Sequence, residues 1–166
     1  MDLESYSTLE CIFVVLLIMA PAYLANTIAV LTGGRYPIDQ GKLYSDGNRI
    51  LGDGKTWSGL IGGTIGGIVV GYGLYFVIGD QLLWGMDNDI ITATSIFFLL
   101  SFGALFGDMT ASFYKRRQNL QRGDKFAILD MYDFIFMSLL LCFIFQRDWL
   151  LSVSYTHLTL PTKRIV

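Results

Sequence analysis

The chain has 166 residues, 53% of them hydrophobic and 16% charged, with a mean hydropathy of +0.51 and a formal net charge of −2. That composition is too apolar for an ordinary soluble domain, and the connections between its apolar runs are too short to hold a separate one. The sequence predicts an all-α protein, a polytopic transmembrane helix bundle with four clear spans.

The first expected span runs from about Leu9 to Leu31. The residues before it include Asp2 and Glu4 and lack the basic region and small-residue cleavage site of a signal peptide, so this span is expected to remain in the protein. Pro21 frees a backbone carbonyl inside it. Asn26 brings an amide near its end, either as interhelical glue or as part of a site.

The loop that follows is dense in Gly and Asp, from Gly33 to Asp39 and again from Asp46 to Thr56, which predicts tight turns rather than a helix. Its Gly52 to Gly54 turn feeds the second span, Trp57 to Ile78. Backbone amides and the positive helix end are thereby placed to face an anion beside Lys55 and Thr56. This is not a Walker A loop, because Arg49 stands where that motif needs its first glycine. The competing reading is a turn with solvated charges. In the second span Gly59, Gly63, Gly67 and Gly71 recur every fourth residue, with Gly62 and Gly66 beside them, a small-residue face expected to pack helices rather than bind a ligand.

The third expected span is Ile90 to Phe106. If its helix continues through Arg117, Asp108 and Ser112 lie one turn apart and are followed on the same face by Lys115 and Arg116. The fourth, Phe126 to Phe145, carries Asp130 and Asp133 three residues apart, able to converge on one hard cation such as Mg²⁺. An aspartate at mid-bilayer costs about 2.5–3.5 kcal/mol on insertion scales, so these carboxylates are expected to face a polar cavity. An isolated Lys-Arg-Arg triplet reads as a topology flank, but topology needs no aspartates beside it.

Nine of the 12 Lys and Arg residues lie in Arg35 to Lys55 and Lys115 to Lys125, whereas Asp80 to Asp89 carries only acids. By the positive-inside bias both basic loops are expected in the cytoplasm and the N-terminus outside. Cys11 and Cys142 fall within spans and read as small apolar fillers rather than a metal pair.

At these residues the sequence resembles the membrane-embedded, CTP-dependent phospholipid cytidylyltransferases, and more closely their short archaeal branch, the CDP-archaeol synthases. The resemblance covers about Ala20 to Phe136. It rests on Gly107-Asp108, Ser112-Phe113-Tyr114-Lys115-Arg116 and Asp130-Met131-Tyr132-Asp133, with Met131 where the longer enzymes usually have Arg. It rests also on Pro21, Tyr23 and Asn26, on Gly34 to Asp39, and on the Asp46 to Thr56 string.

The resemblance implies a multi-pass cell-membrane enzyme that transfers CMP from CTP to a lipid phosphate with Mg²⁺ as cofactor. No nucleic acid and no obligate protein partner are expected. Asp108, Asp130 and Asp133 are the expected metal ligands, and with Lys115 and Arg116 the expected catalytic set. Lys55 joins those cations on phosphate. Asp46, Arg49 and Asp53, with Gly54 and Thr56, are expected on the nucleotide side, and Asn26 and Ser112 supply hydrogen bonds. The family implies five spans, but after Trp149 only Leu150 to Val153 remain apolar. Residues 1–153 therefore read as one membrane domain, and 154–166, which holds the lone His157, as a truncated, miscalled or appended tail.

Two other classes compete. A small ion-coupled transporter or channel subunit would account for intramembrane carboxylates but not for a Gly-rich basic loop beside a Ser-x-x-Lys-Arg helix. A CDP-alcohol phosphotransferase would require an Ala-Arg that Asp46-Gly47-Asn48-Arg49-Ile50-Leu51 lacks.

Overall fold

The computed structural model of the chain describes residues 8–78, 90–118 and 127–151, with side chains from 12 onward in the first helix and from 132 onward in the last. The acidic 80–89 connection, Arg122, Lys125, the 154–166 tail and the side chains of Cys11 and Asp130 lie outside the described residues.

Among the described residues the named helices are α1 (Thr8–Ile18), α2 (Ala20–Leu31), α3 (Trp57–Ile78), α4 (Ile90–Arg117) and α5 (Ala127–Phe145), and residues 147–151 are again helical. The expected first span is thus two helices, bent by 45° at Met19. The cause is local. Pro21 has no N–H to give to a preceding carbonyl, and the Met19 carbonyl collects both Ala22 N (3.0 Å) and Tyr23 N (3.1 Å) as the chain starts again.

The second expected span coincides with α3, and α4 does continue eleven residues beyond Phe106, to Arg117. By length and composition α3 and α4 can each cross a membrane, and the bent α1–α2 pair makes a third crossing if taken as one span. The fourth expected span corresponds to α5, whose described apolar stretch, Tyr132–Phe145, is shorter than a crossing. Large apolar side chains point outward, among them Val77 at 83% exposure, Val30 at 81% and Phe76 at 78%, as a lipid-facing surface requires.

The glycine face sets the helix register. A β-carbon on Gly59 would meet the Ala29 carbonyl, on Gly63 the Ala25 carbonyl and Leu105, on Gly67 the Pro21 carbonyl and Ser101, and on Gly71 the Phe97 ring. α3 therefore runs antiparallel to both α2 and α4, with backbones in close approach over three turns. α4 is the central helix: Ile96, Phe97, Leu100 and Ala104 are buried, and Gly103 and Gly107 let α5 lie against it at Ser138 and Asp133. The Ser138 hydroxyl donates to the Leu100 carbonyl at 2.9 Å across that contact. Cys142 is a free, fully buried thiol in the same core, in keeping with a filler role.

Gly63→Ala forces a methyl to 2.7 Å from the Ala25 carbonyl oxygen, whereas a β-carbon on Gly73 meets nothing within 4 Å. The first substitution is expected to cost about 1–3 kcal/mol by overpacking, read as a lower melting temperature in detergent. Gly73→Ala leaves that temperature unchanged or slightly raised. Equal melting temperatures for the two variants would contradict this register.

Candidate functional site

α2 ends, α3 begins, α4 ends and α5 begins at the same end of the bundle, and there the 33–56 loop is held. The loop has too few apolar residues to make a core, so a buried carboxylate organises it. Asp39, 5% exposed, accepts Arg49 Nη2 at 2.6 Å and Arg49 Nε at 3.3 Å, together with the amides of Gly52 (2.9 Å), Leu51 (3.1 Å) and Gly41 (3.1 Å). Burial alone would raise its pKa, but the Arg49 bonds and the three amides outweigh burial and hold the carboxyl well below the usual range. Arg49 also reaches the exposed Asp53 at 2.5 Å.

The turns expected from Gly and Asp are present, closed by isolated antiparallel bridges between Pro37 and Thr56 and between Leu43 and Arg49. Several of the amides around that turn are committed within the chain. Gly52 N goes to Asp39, Lys55 N to the Gly52 carbonyl, Trp57 N to the Tyr36 carbonyl and Gly59 N to Thr56 Oγ1. Thr56, buried, precedes the first residue of α3, and its hydroxyl oxygen accepts Gly59 N and Gly34 N, each at 3.2 Å, capping the helix and fastening the start of the loop. Backbone donors must find acceptors, and the loop satisfied these from its own carboxylate, carbonyls and hydroxyl. Side chains are left to face the cleft.

That cleft lies between α2, α4 and the start of α3, and its walls include Asn26, Gly54, Lys55, Thr56 and Asp108. Lys55 and Asp108, 53 residues apart in sequence, form an ion pair across it. The Asn26 side-chain oxygen is buried without a hydrogen-bond partner among the described residues. An unpaired buried acceptor costs about 1–3 kcal/mol, so the cleft is built to receive a donor there.

The other expected site residues occupy distinct positions. Ser112 stands one turn beyond Asp108 and donates to the Asp108 carbonyl at 2.8 Å. Arg49 and Asp53 line a separate groove on the outer face of the loop with Tyr36 and Trp57. Asp46 pairs with Arg117 at 3.0 Å. Arg116 lies against Gly52, whose φ of +95° suits glycine and whose β-carbon would sit 3.1 Å from the guanidinium. Lys115 follows Tyr114 in the last turn of α4.

Gly107 packs so closely on the Asp133 carbonyl that any side chain there would collide, so Asp108 and Asp133 flank one tight crossing of α4 and α5. Asp133 Oδ1 accepts Phe134 N at 2.6 Å. Asp130 lies one turn earlier on α5, its side chain outside the described residues. Among the described residues no three His, Cys, Asp or Glu side chains form a metal cluster. Mg²⁺ takes one or two carboxylates and completes its shell with substrate oxygens and water, and Asp108, in the cleft wall, is a carboxylate that fits that demand.

Two residues at the centre of this geometry, Asp39 and Arg117, are absent from the set expected from sequence. Asp39 was visible only as the end of the Gly34 to Asp39 string, and Arg117 only as the third cation of a triplet.

Known proteins resemble this chain in sequence and in fold. A family model described as CarS-like: CDP-archaeol synthase matches residues 8–160. The CDP-archaeol synthase of Picrophilus torridus is 46% identical over 134 residues, 80% of this chain and 72% of that protein. That of Methanospirillum hungatei is 43% identical over 149 residues, 89% and 85% of the two chains. A solved structure of an intramembrane enzyme for archaeal membrane lipids biosynthesis is similar with a TM-score of 0.66 and 32% identity, covering 92% of this chain and 93% of that one. With a matched region that contains the loop, the cleft and helices α1 to α5, the chain belongs to the CDP-archaeol synthase family.

Proposed function

We propose that this membrane protein transfers CMP from CTP to 2,3-bis-O-geranylgeranylglycerol 1-phosphate, giving CDP-archaeol and pyrophosphate. The observation that carries the reading is the cleft in which Lys55 and Asp108 face each other beside the unpartnered Asn26, in a chain whose relatives are CDP-archaeol synthases.

A phosphate oxygen of the lipid attacks the α-phosphorus of CTP, a new P–O bond forms, and the bond to the β-phosphate breaks with its electron pair leaving on pyrophosphate. The second pKa of a phosphate monoester is about 6, so the nucleophile is already ionised near neutral pH and needs no side-chain base. The membrane region accordingly offers no histidine, the only one being His157. Catalysis rests on position and charge.

In the free cleft Lys55 and Asp108 neutralise each other. With CTP in the cleft Lys55 would turn to one of its phosphates, and Asp108, with Asp133 and Asp130 of α5, would hold the cation. Mg²⁺ when bound neutralises phosphate oxygens and orients them. Arg116, held at Gly52, and Lys115 steady the triphosphate and the leaving pyrophosphate, while Asn26 accepts a hydrogen bond from substrate. Ser112 supplies a further polar contact from the same face of α4. Gly54 and Thr56 shape the cleft wall, and Asp46, Arg49 and Asp53 act from outside the cleft, holding the loop through Arg117 and Asp39. The loop end of the bundle faces the cytoplasm, where CTP is found, with the N-terminus outside, and the cleft opens sideways to admit a lipid whose chains stay in the bilayer.

Purified protein in detergent with Mg²⁺, CTP and a diether lipid phosphate is expected to release pyrophosphate and CDP-lipid in equal amounts, and chelation of Mg²⁺ to abolish both. Neither product with diether or diacyl substrate would defeat the proposal. Turnover undiminished by chelation would remove Mg²⁺ from it.

A further inference from the structure

We propose that Arg117 is a positioning residue that seats the first loop on α4 and so sets Lys55 opposite Asp108. The inference rests on the reading of the cleft as the CTP site.

The Arg117 guanidinium donates through both terminal nitrogens and lies beside two rings, while its Nε is buried without a partner among the described residues. Nη1 donates to Asp46 at 3.0 Å, and Nη2 donates to the Arg49 carbonyl at 2.7 Å and, more weakly, to the Asn48 carbonyl at 3.5 Å. The guanidinium carbon lies 4.6 Å from the centre of the Tyr44 ring and 4.9 Å from that of Phe113, and those rings meet each other edge to face. The side chain is 18% exposed. A cation that merely marked the cytoplasmic flank of a span would need none of these contacts.

What Arg117 grips is the closed tip of the loop. Tyr44 N donates to the Asn48 carbonyl at 2.8 Å, Gly47 N to the Tyr44 carbonyl at 3.0 Å, and Asn48 N to Asp46 Oδ1 at 3.0 Å. The tip continues through Arg49 into the Asp39 hub, through Gly52 to its contact with Arg116, and so to Lys55. α4 therefore fastens the loop at three places, and at 1.5 Å per residue the outermost, Arg117, stands about 14 Å along the helix from Asp108. A loop tied at its tip and middle delivers Lys55 to one place. Lysine at 117 would keep the charge and lose the paired donors that reach Asp46 and the Arg49 carbonyl together.

The test uses the full chain in lipid nanodiscs, with Cys11 and Cys142 replaced by alanine and spin labels at Ser45→Cys on the loop tip and Val77→Cys at the far end of α3. Arg117→Lys and Arg117→Gln are both expected to broaden the label-to-label distance distribution and to lower kcat/KM for CTP about tenfold or more. Wild-type kinetics and a narrow distribution in Arg117→Lys would show that charge alone suffices and overturn the proposal. So would lost activity with an unchanged distribution, which would place Arg117 on the substrate instead. Where the Arg117 variants fail to fold, Tyr44→Leu removes one of the two ring contacts and carries the same expectation, with an unchanged distribution overturning it. A wild-type protein that makes no CDP-lipid would defeat the functional reading, and the distance measurement would still decide whether Arg117 seats the loop.

Discussion

Asp108→Asn is expected to lower kcat with CTP by about a hundred- to a thousandfold, the cost of losing one preorganised charge at a centre of phosphoryl chemistry. The substitution keeps the size of the side chain and removes the charge that balances Lys55 and that the bound cation needs. Its effect on stability is expected to stay near or below about 1 kcal/mol, because the Asp108 side chain is 41% exposed and water screens such a pair. Activity and stability therefore separate in this variant. Lys55→Met is expected to reach a similar loss, and the double substitution to fall little further, since the two side chains act on one transition state and their effects do not add. A fall in melting temperature that matched the fall in turnover would assign the pair a structural role.

Asp39→Ala has the largest expected effect on the loop. It leaves the Arg49 guanidinium with the exposed Asp53 alone and takes the acceptor from the amides of Gly41, Leu51 and Gly52; removal of one partner from a buried pair costs about 3–5 kcal/mol, here toward the lower end because Arg49 is 29% exposed. The helices, packed through the glycine face, stay assembled. The expected result is a loop between 33 and 56 that proteases cut in the variant and spare in the wild type, with CMP transfer lost alongside. The pH dependence follows from the depressed pKa of Asp39. A carboxylate held below its unfolded value of about 3.9 stabilises fully above that value and loses its contribution as pH falls toward the lower folded one. Wild-type loop cleavage by an acid protease is expected to stay flat down to about pH 4 and to rise below it. A rise beginning near pH 6 would assign the loop's stability to another group.

The sequence made some of this geometry readable and hid the rest for physical reasons. α3 was readable to its end residues because one long apolar run begins just after Lys55 and Thr56, and its glycine face because a four-residue repeat of small side chains has one ready use in a bundle. The bend at Met19 was not. Pro21 announces a lost hydrogen bond, but whether a helix bends or restarts there depends on what packs on it. The continuation of α4 to Arg117 was left open by the sequence: the spacing of Asp108, Ser112 and Lys115 suits a helix there but does not require one. Asp39 gave no local sign of its role, since its donors come from as far as Gly52 and converge only once the turns have formed. Arg117 was hidden more deeply: Asp46, its ion-pair partner, lies 71 residues away, and a charge at a helix end looks the same whether it grips a loop or faces water. Arg49 and Asp53, grouped in sequence with Lys55, are turned by the Asp39 hub onto the opposite face of the loop.

The central claim is that this cleft directs a lipid phosphate onto the α-phosphorus of CTP. It is tested most directly by supplying the wild-type protein with Mg²⁺, diether lipid phosphate and CTP labelled with ³²P at either the α or the γ position. The account predicts label in the lipid product from α-labelled CTP alone, with γ label released wholly as pyrophosphate. Label reaching the lipid from the γ position, or from neither, would contradict it.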